Sequence, residues 1–247
     1  MPLTEFPAGV SSFGAPVMPG FPALPIAPGA NIFFVDSTDT RARNSAGAGT
    51  QDKPFASIDF AVGRCTANNG DFIFVQPLHL ENVIAAAGLD LDVAGITVVF
   101  LGNRNDRGRI RFGTVVGADM DVDAADITLV NPRFQANLDN LTAPIDVNSA
   151  RFRMFEATWE DGTAINTIRA LLADLNADNL LIDGFEFIDG NAAGTQKVAF
   201  IDVQAATAPT LRNIKCTGDF STGCISNSTA WVDALLENLV LDNANVG

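Results

Sequence analysis

A short pattern of alternating apolar and polar residues recurs through most of this chain, and it limits the possible fold more than any other feature. The first copies begin Leu-Asp-Leu-Asp at Leu89, Met-Asp-Val-Asp at Met120 and Ile-Asp-Val-Asn at Ile145. Six copies start at Leu89, Met120, Ile145, Ala173, Ile201 and Val232. Their starts are 25 to 31 residues apart. A period of this length is typical of a solenoid built from stacked repeats.

The residues within each copy indicate which kind of solenoid to expect. Apolar and polar residues alternate with a period of two, as in a strand with one buried face. A small residue such as Ala94, Ala125 or Ala150 then marks a corner, and a second alternating strand follows. No helical segment separates the copies, so helical and leucine-rich repeats do not fit. We therefore predict an all-β fold, a single-stranded right-handed parallel β-helix of about six to seven coils.

Composition divides the chain into three parts. Residues 1–30 form a Pro/Gly-rich arm, residues 31–70 hold an entry strand and a capping helix, and residues 71–247 form the β-helix. The helix is predicted over Pro54–Cys65, because apolar side chains share one face there. No second helix follows the last copy, so we expect loops, another subunit or a partner to cover the last coil.

The arm is unusual because it is rich in proline and nearly free of charge. Seven of the twelve prolines lie between Pro2 and Pro28, and Glu5 is its sole charged side chain. Proline at this density disfavours helix and sheet, so we expect an extended backbone that forms no ladder of its own. The arm is either a linker or a segment that lies along another subunit or a capsid. The contact residues expected in the second case are Phe6, Phe13, Phe21, Leu24 and Ile26.

The second position of the repeat predicts an acidic ridge on the outside of the solenoid. Its residues are Asp90, Asp121, Asp146, Asp174, Asp202 and Asp233. The apolar neighbours expected in the core are Leu91, Val122, Val147, Leu175 and Val203. Stacked strands lie about 4.8 Å apart, so like charges at this spacing repel unless something offsets them. Three interpretations stay open, namely a solvated face, a divalent-cation site and a docking surface for a basic protein.

A second polar column is expected two residues further on, at the corner of each coil. Its members are Asp92, Asp123, Asn148 and Asn176, with Gln204 in the next copy. Asn and Asp suit corners because they tolerate left-handed backbone and hydrogen-bond to nearby peptide groups. The better interpretation is structural, with side chains bonded from coil to coil.

Charge and composition exclude several functions. Fifteen Lys and Arg against 29 Asp and Glu give a net charge of −14, which argues against binding nucleic acid or an anionic membrane. His79 is the single histidine and the three cysteines form no spaced set, so we expect no metal and no cofactor. The chain has no tyrosine and two tryptophans, which disfavours a sugar-binding enzyme. No apolar run spans a membrane and no basic signal sequence opens the chain, so we expect assembly in a host cytoplasm.

Two segments resemble a known superfamily. Pro54–Ile58 and Gly70–Pro77 resemble the entry coil of the pectate-lyase-like right-handed β-helices. Pro77–Glu81 is similar to a Pro-Gly-His-x-Glu stretch in bacteriophage and prophage proteins of that fold, although Leu78 replaces the glycine. Leu80 stands where many carbohydrate-acting members have tyrosine. The resemblance implies the fold and a phage origin, and says little about enzyme activity.

These observations together predict a structural virion protein without enzyme activity. We expect a decoration or cement protein on the capsid surface, bound to the major capsid protein and self-associated as a homotrimer. The alternative is a tail-associated β-helix protein that binds or cleaves host surface polysaccharide. A third possibility is a receptor-binding module that uses the loops at Gln135–Thr142 and Gly190–Gln196.

Overall fold

The computed structural model confirms the all-β solenoid. It describes residues 10–12, 15–17, 29–162, 165, 167–188, 197–204, 206–227 and 229–243. These residues form a parallel β-solenoid of about six turns with almost no helix.

The elements have the following bounds. In the first half of the chain they are β1 (Val10–Ser12), β2 (Ala15–Val17), β3 (Ile32–Val35), α1 (Ile58–Val62), β4 (Phe72–Val75), β5 (Leu80–Val83), β6 (Leu89–Asp90), β7 (Thr97–Phe100), a 3₁₀ turn (Arg104–Asp106), β8 (Arg109–Phe112) and β9 (Met120–Val122). The later strands are β10 (Thr128–Val130), β11 (Arg133–Ala136), β12 (Ile145–Val147), β13 (Arg153–Asp161), β14 (Arg169–Ala173), β15 (Leu181–Ile188), β16 (Lys197–Val203), β17 (Thr210–Gly218), β18 (Phe220–Ser226), β19 (Leu235–Glu237) and β20 (Val240–Asn243).

The solenoid has three strand faces. The first face stacks β3, β4, β7, β10, β13, β15, β17 and β19, and the third stacks β6, β9, β12, β14, β16 and β18. The second face begins with β5, β8 and β11 and continues through the later parts of β13, β15 and β17 to β20. All of these pairings are parallel, as expected when each coil returns to the start of the next.

Aromatic rings fill the interior from coil to coil. The ring of Phe112 lies 5.7 Å from that of Trp159 and 6.3 Å from that of Phe134, measured between centroids. Phe185 and Phe200 continue the row of rings, tilted against each other with centroids 4.4 Å apart. All five side chains are almost fully buried, so the large phenylalanine content of the chain serves the core.

The capping helix is shorter than the sequence predicted. It spans Ile58–Val62, because Ser57 has an extended backbone and its hydroxyl accepts the Phe60 N–H at 3.3 Å. Phe55 instead forms a parallel bridge to Val35 and so extends the first coil. Ile58 and Val62 are buried over that coil, so the helix does cover the end of the core.

The arm also differs from the expectation that its backbone forms no ladder. β1 and β2 pair antiparallel, with Val10 opposite Val17 and Ser11 opposite Pro16. A two-stranded ribbon tolerates proline because both strands have an edge where no N–H is needed. The predicted contact residues Phe6, Phe13, Phe21, Leu24 and Ile26 lie outside the described residues.

Candidate functional site

Three aspartates form a continuous column on the third face. Asp90 pairs with Asp121 across β6 and β9, and Asp121 pairs with Asp146 across β9 and β12. Their side chains are partly exposed, whereas the neighbouring Leu91, Val122 and Val147 are buried. We call Asp90, Asp121 and Asp146 the acidic column.

Asp174 does not continue this column, because the fourth repeat is shifted by two residues. Leu172 pairs with Asp146, and Asp174 lies beyond the end of β14. Leu175 is consequently 62% exposed instead of buried in the core. In the stretch Arg169–Ala173 an apolar side chain occupies the outward position, so alternation could not reveal the register.

Asp233 also lies away from the column. The sixth strand of the third face is β18, in which Ser226 pairs with Asp202, while Asp233 is exposed in the following loop. Asp202 does occupy the column position, but it is buried and neutralised. Its carboxylate accepts hydrogen bonds from Arg169 Nε at 2.7 Å and from Ser226 Oγ at 2.9 Å.

The carboxyl groups of the acidic column have raised pKa values. Burial, followed by repulsion from Asp119 and other nearby carboxylates, raises the pKa of Asp121 to about 6. The pKa of Asp146 is raised to about 6 by burial and by the same neighbour. Oδ1 of Asp90 and Oδ1 of Asp146 are buried without a hydrogen-bond donor among the described residues. The column is therefore a site of unbalanced negative charge at neutral pH.

The corner column is present, but Asp174 stands at the position expected of Asn176. Asn148 Nδ2 donates to Asp123 Oδ1 at 3.0 Å, which links two coils directly. The next backbone hydrogen bonds run from Asp174 N to Val147 O and from Gln204 N to Ala173 O, so Asp174 takes the position expected of Asn176. Asn176 instead lies in the turn, where its N–H donates to Asp174 Oδ1 at 2.7 Å.

A second corner column, which was not predicted from the sequence, lies between the first and second faces. Its members all have left-handed backbone with φ between 51° and 79°. In chain order they are Asn131, Glu156, Gly184, Asn213 and Asn238. Asn238 Nδ2 donates to Asn213 Oδ1 at 2.6 Å. Successive members are 25 to 29 residues apart, and all except Glu156 are Asn or Gly, so this recurrence was the available signal.

An open groove of about 490 Å³ runs beside this second corner. Arg104, Glu186 and Lys215 contribute charged side chains to its wall. Arg107 crosses several coils along it, because its guanidinium donates to Asn131 Oδ1 at 3.0 Å and to Thr158 Oγ1 at 2.8 Å. Charged side chains on this surface thus link neighbouring coils, as in the ion pair of Lys215 with Glu186 at 2.6 Å.

His79 has a structural position in the first coil. Its ring is 1% exposed, its Nδ1 accepts the Ser37 N–H at 2.9 Å, and its Nε2 lies 3.0 Å from Glu81 Oε2. The same carboxylate oxygen accepts the Ile58 N–H at 2.7 Å, at the start of α1. These bonds join β5, the capping helix and the loop after β3.

A buried ion pair lies inside the solenoid at the end of the second face. Lys197 Nζ is 3.6 Å from Asp161 Oδ2, and neither side chain is more than 3% exposed. Asp161 Oδ1 accepts hydrogen bonds from Trp159 Nε1 at 2.9 Å and from Thr167 Oγ1 at 2.7 Å. Two donors satisfy Oδ1 and the Lys197 ammonium faces Oδ2, so this arrangement is consistent with a structural pair.

No family model, curated protein or solved structure matches this chain. Within the described part of the chain, no three or more His, Cys, Asp or Glu side chains are arranged to hold a metal ion. No helix among the described residues is long and apolar enough to cross a membrane.

Proposed function

We propose that this chain is a structural virion protein of a bacteriophage, which decorates the capsid surface as a homotrimer bound to the major capsid protein. The observation that carries the proposal is a solenoid in which several basic side chains, among them Arg107, Arg169 and Lys215, bond from coil to coil, joined to a proline-rich arm with a single charged side chain. Such a body is stiff, and such an arm is suited to lie in grooves of another protein.

Three features of the structure support a structural role. Arg107 and Lys215 stabilise neighbouring coils, and His79 and Glu81 hold the capping helix. Trp159 is fully buried, so it offers no platform for a sugar ring. The acidic column supports attachment to a basic surface, because Asp121 and Asp146 gain most from a nearby positive charge.

The proposal is tested on phage particles from the strain that encodes the chain. Particles are purified, and mass spectrometry measures the copy number of the chain relative to the major capsid protein. We expect a copy number of the same order as the capsid protein, and recovery of binding when recombinant protein is added to stripped particles. Absence from particles, or only a few copies located at the tail, would reject capsid decoration.

A second candidate is a tail-associated protein that binds or cleaves host surface polysaccharide. The groove beside the second corner favours it, because Arg104, Glu186 and Asn213 present polar groups to one open surface. Sizing of the host polysaccharide after incubation with the protein tests cleavage. A product shift that Glu186→Gln abolishes would favour this candidate, whereas unchanged polysaccharide supports the structural role.

A further inference from the structure

The last coil of the described chain has an uncovered face. β19 and β20 both pair with β17, and in the part of the chain that the structure describes no strand pairs with their other edges. We call β19, β20 and the loop residue Val232 the open end. Its free backbone N–H and C=O groups can accept a further strand.

Five exposed side chains of the open end are apolar. Val232, Leu235, Leu236, Val240 and Leu241 are between 42% and 56% exposed. Leu236 pairs with Leu211 and Leu241 pairs with Cys216, and both of those partners are 0% exposed. Leu236 and Leu241 therefore belong to the core by register, and they are exposed because no strand among the described residues stacks on them. Leu235 and Val240, by contrast, pair with the outward-facing Thr210 and Lys215.

At the other end of the solenoid, a helix covers the apolar core of the first coil. There α1 places Ile58, Ala61 and Val62 over the core, and each is at most 1% exposed. The open end has no such helix among the described residues. An exposed apolar patch of this kind marks an interaction site.

Charge argues against a second open end as the occupant. Asp233, Glu237 and Asp242 surround the apolar side chains and are exposed. Two copies meeting end to end would bring these carboxylates together, and like charges in contact are destabilising. The occupant should be apolar and extended, and it should carry little negative charge.

The arm has these properties. Residues 1–28 contain seven prolines, three phenylalanines and a single charged side chain, Glu5. β1 and β2 form a two-stranded sheet of their own, and such a ribbon is marginally stable in water until it packs on something else. The arm therefore needs an apolar surface as much as the open end needs a cover.

The arm is also long enough to reach past the end of its own solenoid. Eight strands stack on the first face, so the open end lies about seven steps of roughly 4.8 Å, or ~34 Å, from β3. A chain of 28 residues reaches at most ~92 Å when extended. The excess is sufficient to cross to a neighbouring solenoid, and exchange of identical segments is a common route to closed oligomers.

We propose that the arm of a neighbouring copy covers the open end, adding backbone to the edges of β19 or β20 and packing its phenylalanines on Leu236 and Leu241. This contact deepens the proposed function, since it rests on the self-association proposed there. It assigns the open end to the arm of the same protein and not to the capsid.

Photo-crosslinking of the full chain tests the contact. p-Benzoylphenylalanine is placed at Phe13, equal amounts of unlabelled and ¹⁵N-labelled protein are refolded together, and crosslinked peptides are identified after irradiation. We expect crosslinks to residues 231–243, about half of them joining a labelled to an unlabelled chain. Crosslinks to other regions, or crosslinks confined to single chains, would overturn the proposal.

A pair of full-length variants provides the control. Leu236→Asp with Leu241→Asp should abolish the crosslink and convert the oligomer to a monomer in light scattering, while the circular dichroism spectrum stays that of a β-solenoid. Val116→Asp, at a position that is 51% exposed on another part of the surface, should change neither. Equal crosslinking in all variants would reject the contact. Because no capsid is present, absence from particles would reject the proposed function and leave this result intact.

Discussion

Asp121 and Asp146 are paired directly across neighbouring strands of the third face, and the pKa of each carboxyl is raised to about 6. A group with a raised pKa binds its proton more tightly in the folded protein than in the unfolded chain. Its contribution to stability is therefore full below the unfolded value of about 3.8 and is lost as the pH rises through about 6.

The first prediction concerns how the free energy of unfolding depends on pH. We expect the free energy of unfolding to fall between pH 4.5 and pH 7, as Asp121 and Asp146 ionise. Below pH 4 other carboxyls act in the opposite direction, such as Asp126, whose pKa is lowered mainly by its hydrogen bond to Arg151. Urea unfolding at several pH values measures the profile.

A double variant isolates the acidic column. Asp121→Asn with Asp146→Asn should stabilise the protein at pH 7 by ~1 kcal/mol, a modest figure because both carboxyls are partly solvated. The gain should disappear near pH 4.5. Asp52→Asn, at an exposed position away from the column, is the matched control and should be neutral at both pH values. A gain that is equal at both pH values would contradict the assignment.

The second prediction concerns the buried ion pair. Lys197→Met should destabilise the protein by about 3–5 kcal/mol, because it leaves the Asp161 carboxylate buried without its cation. Adding Asp161→Asn should recover part of the loss. Lys215→Met removes the exposed pair with Glu186 and should cost less than about 1 kcal/mol. Chemical denaturation compares the variants, and equal losses from Lys197→Met and Lys215→Met would show that burial does not decide the effect.

The third prediction concerns the link between the capping helix and β5. Glu81→Ala removes the acceptor of the Ile58 N–H and of the His79 ring, two buried donors. We expect a loss of about 2–4 kcal/mol, since each unsatisfied buried donor costs about 1–3 kcal/mol. Hydrogen exchange should localise the change to α1 and the first coil. Unchanged protection of α1 would mean that the carboxylate does not hold the helix.

The sequence was sufficient for the fold because most coils obey strict alternation. In the copies at Leu89, Met120 and Ile145 the apolar residues on either side of the aspartate are buried, so the strands and their register are readable. The fourth copy breaks the rule with Leu172 outside, and the sixth strand has Ser226 where an aspartate was expected. Tertiary pairing fixed these registers, and no local pattern records it.

The side-chain contacts between coils were the hardest to predict from the sequence. Arg107 and Thr158 are 51 residues apart in sequence, and only the stacking of coils brings them to 2.8 Å. The buried pair of Lys197 and Asp161 likewise has no motif. By contrast, the spacing of Asn213 and Asn238 could have been recognised as a corner signal, since it matches the period of the repeat.

The last prediction uses that second corner column. Glu156 adopts a left-handed backbone with φ of 54°, although asparagine and glycine occupy the matching positions in the coils on either side. A left-handed conformation costs most L-residues roughly 1–2 kcal/mol, and asparagine tolerates it better because its side chain bonds locally. Glu156→Asn should therefore raise the free energy of unfolding by ~1 kcal/mol. Glu237→Asn, on the exposed strand β19, is the control and should give no gain. Thermal melts of the two variants provide the measurement. An equal gain in both would mean that lower negative charge, and not backbone conformation, is responsible.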